Sequence, residues 1–237
     1  KRQSGIASTL IQEGIKELID ENKGILNSIY ATTRTISIGP QLMCIKTGFM
    51  PFGIFPNSHR IVDYETTTLM INYKKGVLEK RASLPPVPKQ IEPILNIVNT
   101  LTNHKEELKI LPKIKTKRKG EALEFEVIQA PHYVLRKFIE TFSDPYDCFY
   151  PFHTPNTLIV STNAEIEIFA YLNKNDGYCA IIANNKPFFL MKGRFSGLIR
   201  ALESAGATYV EVLIGIEHTR SIQALLNAQF LPCAVYP

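Results

Sequence analysis

No run of eighteen or more apolar residues occurs anywhere in the 237-residue chain, so the sequence offers no membrane-spanning helix. No secretory signal peptide is visible at its start. Cysteine is scarce: Cys44, Cys148, Cys179 and Cys233 lie far apart with no C-x-x-C pair. That pattern reads as free thiols in a cytoplasmic protein rather than as a disulfide framework. His104, His132 and His218 lack partners at metal-ligand spacing, so no metal site is expected. Neither a G-x-S-x-G elbow nor a Walker A loop is present, which argues against hydrolase and nucleoside triphosphate chemistry.

What the chain does have is an ordinary share of core-forming residues, 45% hydrophobic, in a length that suits one large domain or two small ones. Its net charge of +5 owes much to Lys113, Lys115, Lys117, Arg118 and Lys119. No aromatic residues interleave that run and no recognition helix carries it, so nucleic acid is not the expected partner. A solvated basic run fits better, and the positive excess also suits an anionic ligand.

The chain opens with Arg2-Gln3-Ser4-Gly5-Ile6-Ala7-Ser8-Thr9, followed directly by a helix-patterned run from Leu10 to Glu21. First-turn amides have no acceptors within the helix, and the helix dipole favours an anion there. Gly5 allows close backbone approach and Arg2 adds charge, so the turn can cradle a diphosphate; it also fits a plain glycine-containing helix start. Ile25 to Thr32 reads as a buried strand. Ile38, Leu42 and Ile45 then recur at helical spacing, Gly48 stands as a C-cap, and Phe49 to Ile54 reads as an edge strand.

Cradle, helix, strand, helix, Lys46-Thr47-Gly48-Phe49 and strand together resemble the C-terminal half of the GNAT (GCN5-related) N-acetyltransferase superfamily. Those proteins bind acyl-CoA by its diphosphate at an R/Q-x-x-G-x-G/A loop. The resemblance covers about the first third of the chain, with Ala7 at the loop's final small position. It implies an α/β (α+β) fold with a mixed, mostly antiparallel central sheet flanked by helices. It also implies acetyl-CoA or another acyl-CoA as co-substrate, with Arg2, Gln3, Ser4, Gly5, Ile6, Ala7, Ser8 and Ser37 as its binding residues. A full unit of that family places several strands and a helix before this loop, so the chain is expected to be a fragment or to lack its preceding part.

The end of the chain repeats the theme. Phe188 to Met191 reads as a strand, Phe195 to Ala205 as a helix, Thr208 to Gly215 as a strand, Thr219 to Ala228 as a helix and Phe230 to Tyr236 as a strand. Ala228-Gln229-Phe230-Leu231-Pro232-Cys233-Ala234 stands where Thr47-Gly48-Phe49-Met50-Pro51-Phe52-Gly53 stood. Two tandem units are therefore expected. The first spans 1–79, a Pro-rich and basic linker with a short helix spans 80–120, and a second, degenerate unit spans 121–237. Leu84-Pro85-Pro86-Val87-Pro88 enforces extended backbone in the linker.

In this family an amine attacks the thioester carbonyl directly, and a tyrosine four residues before the closing glycine often protonates the leaving thiolate. Cys44 holds that place here and Leu225 holds it in the second unit. Cys44 reads as a proton donor or as an inert core residue. In Pro56-Asn57-Ser58-His59-Arg60, His59 reads as a general base and Arg60 as a clamp for a substrate carboxylate. The same residues also fit a hairpin corner whose histidine caps carbonyls. His153, between Pro151 and Pro155, reads as a wall of the acceptor pocket or as a packed aromatic loop. Lys192-Gly193-Arg194-Phe195-Ser196-Gly197 keeps glycines and cations before a helix but departs from the family spacing. The expected activity is acyl transfer, acetyl above all, to an amine of a small molecule or protein; a homodimer stays open. The alternative is a non-catalytic CoA- or metabolite-sensing module, since neither unit keeps the usual donor.

Overall fold

The protein is described here by a computed structural model covering residues 5–22, 25–104, 107–112, 123–142, 153–191 and 193–236. It is an α+β protein of two compact units. The first takes Lys1–Ser83, Ile91–Leu108 and Pro232–Pro237; the second takes Leu84–Gln90 and Lys109–Leu231.

The first unit begins with α1 (Ile6–Glu21), β1 (Ser28–Arg34), α2 (Ile38–Lys46), β2 (Met50–Arg60) and β3 (Tyr64–Tyr73). Its sheet is antiparallel with β3 in the centre and β1 and β2 at the edges. Leu69, Met70 and Ile71 explain why β3 is central: three consecutive apolar residues need cover on both faces. Met70 packs with Cys44 and Phe49, against Ile11 and Ile15 of α1. Leu69 and Ile71 pack with Phe52 and with Val98 of α3 (Glu92–Leu101). Each such side chain contributes about 1.5–3 kcal/mol by leaving water.

The second unit runs β4 (Phe125–Ile128), α4 (Pro131–Thr141), β5 (Thr157–Ser161), β6 (Glu167–Asn173), β7 (Tyr178–Asn184), α5 (Phe195–Ser204), β8 (Tyr209–Val212) and α6 (Thr219–Asn227). The five strands lie in sequence order, all antiparallel except the parallel pair β7–β8. Val134 and Phe138 of α4 pack with Leu158, Phe169 and Ile182. On the other side Leu198 and Leu202 of α5 and Leu225 of α6 pack with Ile159, Ile168, Cys179 and Ile181. Helices on both sides explain why β7 is buried along nearly its whole length.

The segment 80–120 carries the short helix expected of it, as α3, whose Leu95 and Val98 are buried; Leu84–Gln90 groups with the second unit and Ile91–Leu108 with the first. Three sequence expectations are corrected. Phe188–Met191 is a 3-10 turn, entered from Pro187, rather than a strand. Phe230 to Tyr236 forms no strand; Ala234 alone makes an antiparallel bridge to Gly53, which puts the segment after Leu231 in the first unit. Pro56 to Arg60 is the last part of β2, with a register shift between Phe55 and His59 and Asn57 at φ 52°, and not a hairpin corner. Among the described residues no helix is long and apolar enough to cross a membrane.

Candidate functional site

The two helix ends that the sequence aligned share one hydrogen-bond scheme. After α2, Phe49 N donates to Cys44 O (2.9 Å) and Gly48 N to Ile45 O (3.1 Å), with Gly48 at φ 90°. After α6, Phe230 N donates to Leu225 O (3.0 Å) and Gln229 N to Leu226 O (3.1 Å), with Gln229 at φ 70°. Both are Schellman caps, which satisfy the last carbonyls of a helix around one left-handed residue. Cys44 and Leu225 occupy the same place in the motif, and both are buried.

At the amino end, Arg2, Gln3 and Ser4 lie outside the described residues. Gly5 takes φ 71° and precedes α1, whose first residues Ile6 and Ala7 are exposed and Ser8 half-buried. Ser37 caps α2, its Oγ accepting from Gly39 N (3.4 Å). Cys44 faces the packed interior between α1 and the sheet, and burial pushes its thiol up. That placement fits a small apolar residue better than an acid for a leaving thiolate.

His59 and Arg60 lie at the end of β2 opposite Glu65 and Tyr64 of β3. The Arg60 guanidinium sits 5.9 Å from the centre of the Tyr64 ring. Glu65 is buried and is gripped on both carboxylate oxygens by Nε and Nη2 of Arg34 from β1. The guanidinium holds the Glu65 carboxyl below its ordinary range, mainly through these hydrogen bonds. Thr33 and Thr68 share a hydrogen bond (2.5 Å), as do Ser58 and Thr67 (3.3 Å). The sequence analysis offered no sign of this polar ladder, because Thr67, Thr68 and Glu65 find their partners on neighbouring strands.

His153 belongs to the second unit and stands in an aromatic group. Its ring stacks on Tyr171 (centroids 4.1 Å, planes 7° apart) and meets Tyr178 edge-on at 5.3 Å. Tyr178 in turn stacks on Tyr209 (5.9 Å), and its hydroxyl donates to Glu211 Oε1 (2.6 Å). The register explains the cluster: Tyr171 lies opposite Ala180, Ala180 opposite Glu211, and Tyr178 opposite Tyr209. Directly paired residues share a sheet face, so three strands put three phenols and a carboxylate together, and His153, ahead of β5, stacks onto them. Tyr171, Tyr178, Tyr209 and Glu211 escaped the sequence reading, because their meeting depends on a strand order that no single segment encodes.

One feature of the backbone stands beside this cluster. The parallel ladder joins Tyr178–Ile181 to Tyr209–Val212 and stops, while β7 continues through Ile182, Ala183 and Asn184. The ladder ends with β8 itself at Val212, one pair beyond Glu211, and the last residues of β7 stay paired with β6. The chain from β7 then passes through the 3-10 turn and Gly193 (φ 75°) into α5, which Arg194 precedes. Carboxyl ends of parallel strands and the helix that follows them are a usual place for a ligand in α/β units.

No family model, curated protein or solved structure matches the chain. Among the described residues no group of three His, Cys, Asp or Glu side chains could hold a metal ion. The described sequence-derived residues fall into four places: Gly5 to Ser8 at α1, Ser37 and Cys44 at α2, His59 and Arg60 at the β2–β3 end, and His153 in the second unit.

Proposed function

We propose that the chain is an acyl-CoA-dependent N-acyltransferase made of two related units, acting in the cytoplasm. It transfers an acyl group, acetyl in the simplest case, from its CoA thioester to an amine by direct attack in a ternary complex. The observation that carries this reading is the group of His153, Tyr171, Tyr178, Tyr209 and Glu211 gathered at the parallel pair β7–β8, whose carboxyl end leads to Gly193 and α5. Backbone amides at the end of β7 serve the acyl chain and the developing oxyanion. Gly193, Arg194 and the first turn of α5 receive a phosphate, as Gly5 does ahead of α1. Glu211, hydrogen-bonded to Tyr178, takes the proton of the attacking amine, and His153 with Tyr171 walls the acceptor. Holding the two reactants in line supplies much of the rate.

Calorimetric titration with acetyl-CoA and CoA tests the reading, using the wild type beside Gly5→Glu and Arg194→Glu. Micromolar binding that one variant loses identifies the unit that holds the cofactor. No binding by a folded sample overturns the proposal. A second reading, a non-catalytic CoA-sensing module, draws on Cys44 and Leu225, which leave both helix ends without an exposed acid. Binding without turnover over a panel of amines, unaffected by Glu211→Gln, would favour it.

A further inference from the structure

In the first unit, β3 ends at Tyr73, and the chain runs through Lys74 and Lys75, turns at Gly76 (φ 86°) and leads through a 3-10 turn, Leu78–Lys80, to Arg81. Lys74 N donates to Asn27 O (3.0 Å), which brings the residue before β1 against this turn. Asn27, Val77, Leu78, Lys80 and Arg81 line a cavity of about 300 Å³. Two cations face it, and among the described residues no carboxylate lines it.

Arg81 is half-buried and only partly satisfied. Its Nη2 donates to Oδ1 of the buried Asn99 on α3 (2.9 Å), yet its buried Nε has no hydrogen-bond partner. The nearby Tyr73 hydroxyl cannot serve as a counter-ion, because burial pushes it up to about 12, against the pull of the Arg81 charge. A guanidinium held by a neutral amide beside a lysine, with no acid paired to it among the described residues, concentrates positive charge in a partly dry place. An unmet buried donor of this kind calls for a missing partner. The guanidinium fork fits phosphate geometry, and the lysine adds a point charge.

We infer that the cavity at Lys80 and Arg81 is a binding site for a phosphate group, free or carried on a larger molecule. The phosphate bridges the two cations, and its charge completes the environment of the Arg81 guanidinium. This site stands apart from the residues assigned to acyl transfer, so the two proposals fail separately.

Thermal unfolding of the full chain tests it, with inorganic phosphate and phenyl phosphate as probes and sodium chloride at matched ionic strength as the control. The expected result is a saturable rise in Tm with at least one phosphate probe. Its midpoint concentration should rise at least tenfold in Lys80→Ala, and the stabilisation should vanish in Arg81→Met. Should Arg81→Met not fold, Lys80→Ala and Arg81→Lys carry the test, the latter losing the fork but keeping the charge. A tighter response to inorganic phosphate marks a free-phosphate site; a tighter response to phenyl phosphate marks a phosphomonoester. A Tm shift no greater than chloride gives, or one equal in Lys80→Ala, overturns the inference.

Discussion

Gly53 is the position where a single added carbon should cost most. A Cβ built there lies 2.5 Å from Ala234 Cα and 2.7 Å from Cys233 O, and closer still to Ala234 Cβ. These neighbours are backbone and a one-carbon side chain, so no flexible end can swing away. Gly53 is not at positive φ, and the constraint is space alone. Gly53→Val therefore displaces the terminal segment from the outer edge of β2. Two backbone bonds go with it, Ile54 N to Cys233 O (2.9 Å) and Val235 N to Phe52 O (3.0 Å). So does the packing of Ala234, Val235 and Tyr236 on the cluster of Phe52, Leu69, Ile71 and Val98. At about 1 kcal/mol for each net hydrogen bond and roughly 1.5–3 kcal/mol for a large apolar side chain, the expected loss is about 3–5 kcal/mol. Urea unfolding followed by circular dichroism measures that loss, and carboxypeptidase digestion under native conditions reports release of the tail. Gly14→Ala is the matched control: nothing lies within 4 Å of its added Cβ, and a helical alanine should stabilise by about 0.5–1 kcal/mol. If Gly53→Val unfolds within about 0.5 kcal/mol of the wild type and its tail stays protected, the argument from close approach is wrong.

Other perturbations follow from the same geometry. Cys44 and Cys179 are buried with raised thiol pKa values, Cys179 pushed to about 12 by burial and by the Glu211 charge. Ellman's reagent at pH 8 should label Cys44 and Cys179 many-fold faster after denaturation than before, and rapid native labelling of either would refute their burial. Arg34 depresses the Glu65 pKa in the folded state, so the pair stabilises above the ordinary glutamate range and that contribution is lost as pH falls through the depressed value. Glu65→Gln should flatten the acid limb of a stability–pH profile while leaving its neutral-to-alkaline shape unchanged; an unaltered acid limb would count against the ion pair. Gln229→Gly relieves a left-handed residue at a cap where its counterpart is Gly48, and should stabilise by roughly 1 kcal/mol in urea unfolding. The reverse exchange, Gly48→Gln, should destabilise by a similar amount, and a loss of stability in Gln229→Gly would refute the matched caps.

The elements that the sequence displayed were those with local punctuation. Ser37 starts α2 and Gly48 ends it, and both are legible because capping chemistry is local. Which face of that helix turns inward was not legible. Ile38, Leu42 and Ile45 form the apolar stripe, yet they are exposed at 67%, 44% and 52%, and Cys44 carries the burial. Strand β3 went unread for a related reason. Its buried threonines and Glu65 are satisfied by partners from β1 and β2, and such pairing depends on register. Phe230 to Tyr236 has a strand's composition, but Pro232 and the crossing into the first unit leave it one bridge. Of the candidate site residues, His153 drew notice from its place between Pro151 and Pro155 in the sequence, whereas Glu211 sat unnoticed in a short strand.

The short motif that recurs in the sequence bears on the terminal segment in a way that element order alone could not show. Under the alignment of Thr47–Gly53 with Ala228–Ala234, Gly53 corresponds to Ala234, and these two residues pair with each other. Their flanking bonds are reciprocal: Ile54 donates to the residue before Ala234, and Val235 donates to the residue before Gly53. An antiparallel contact between equivalent positions has the self-complementary form of a two-fold interface, here made within one chain. Each occurrence of the motif begins in a Schellman cap, the scheme that also closes α3 and α5, and goes on to form one side of this bridge. Glycine occupies one side of the closest approach and alanine the other, so the pair carries a single Cβ where the gap has no room for a second. That asymmetry predicts that exchanging the two residues, Gly53→Ala with Ala234→Gly, should restore much of the stability that Gly53→Ala alone removes, and a double-mutant cycle showing plain additivity would refute the contact.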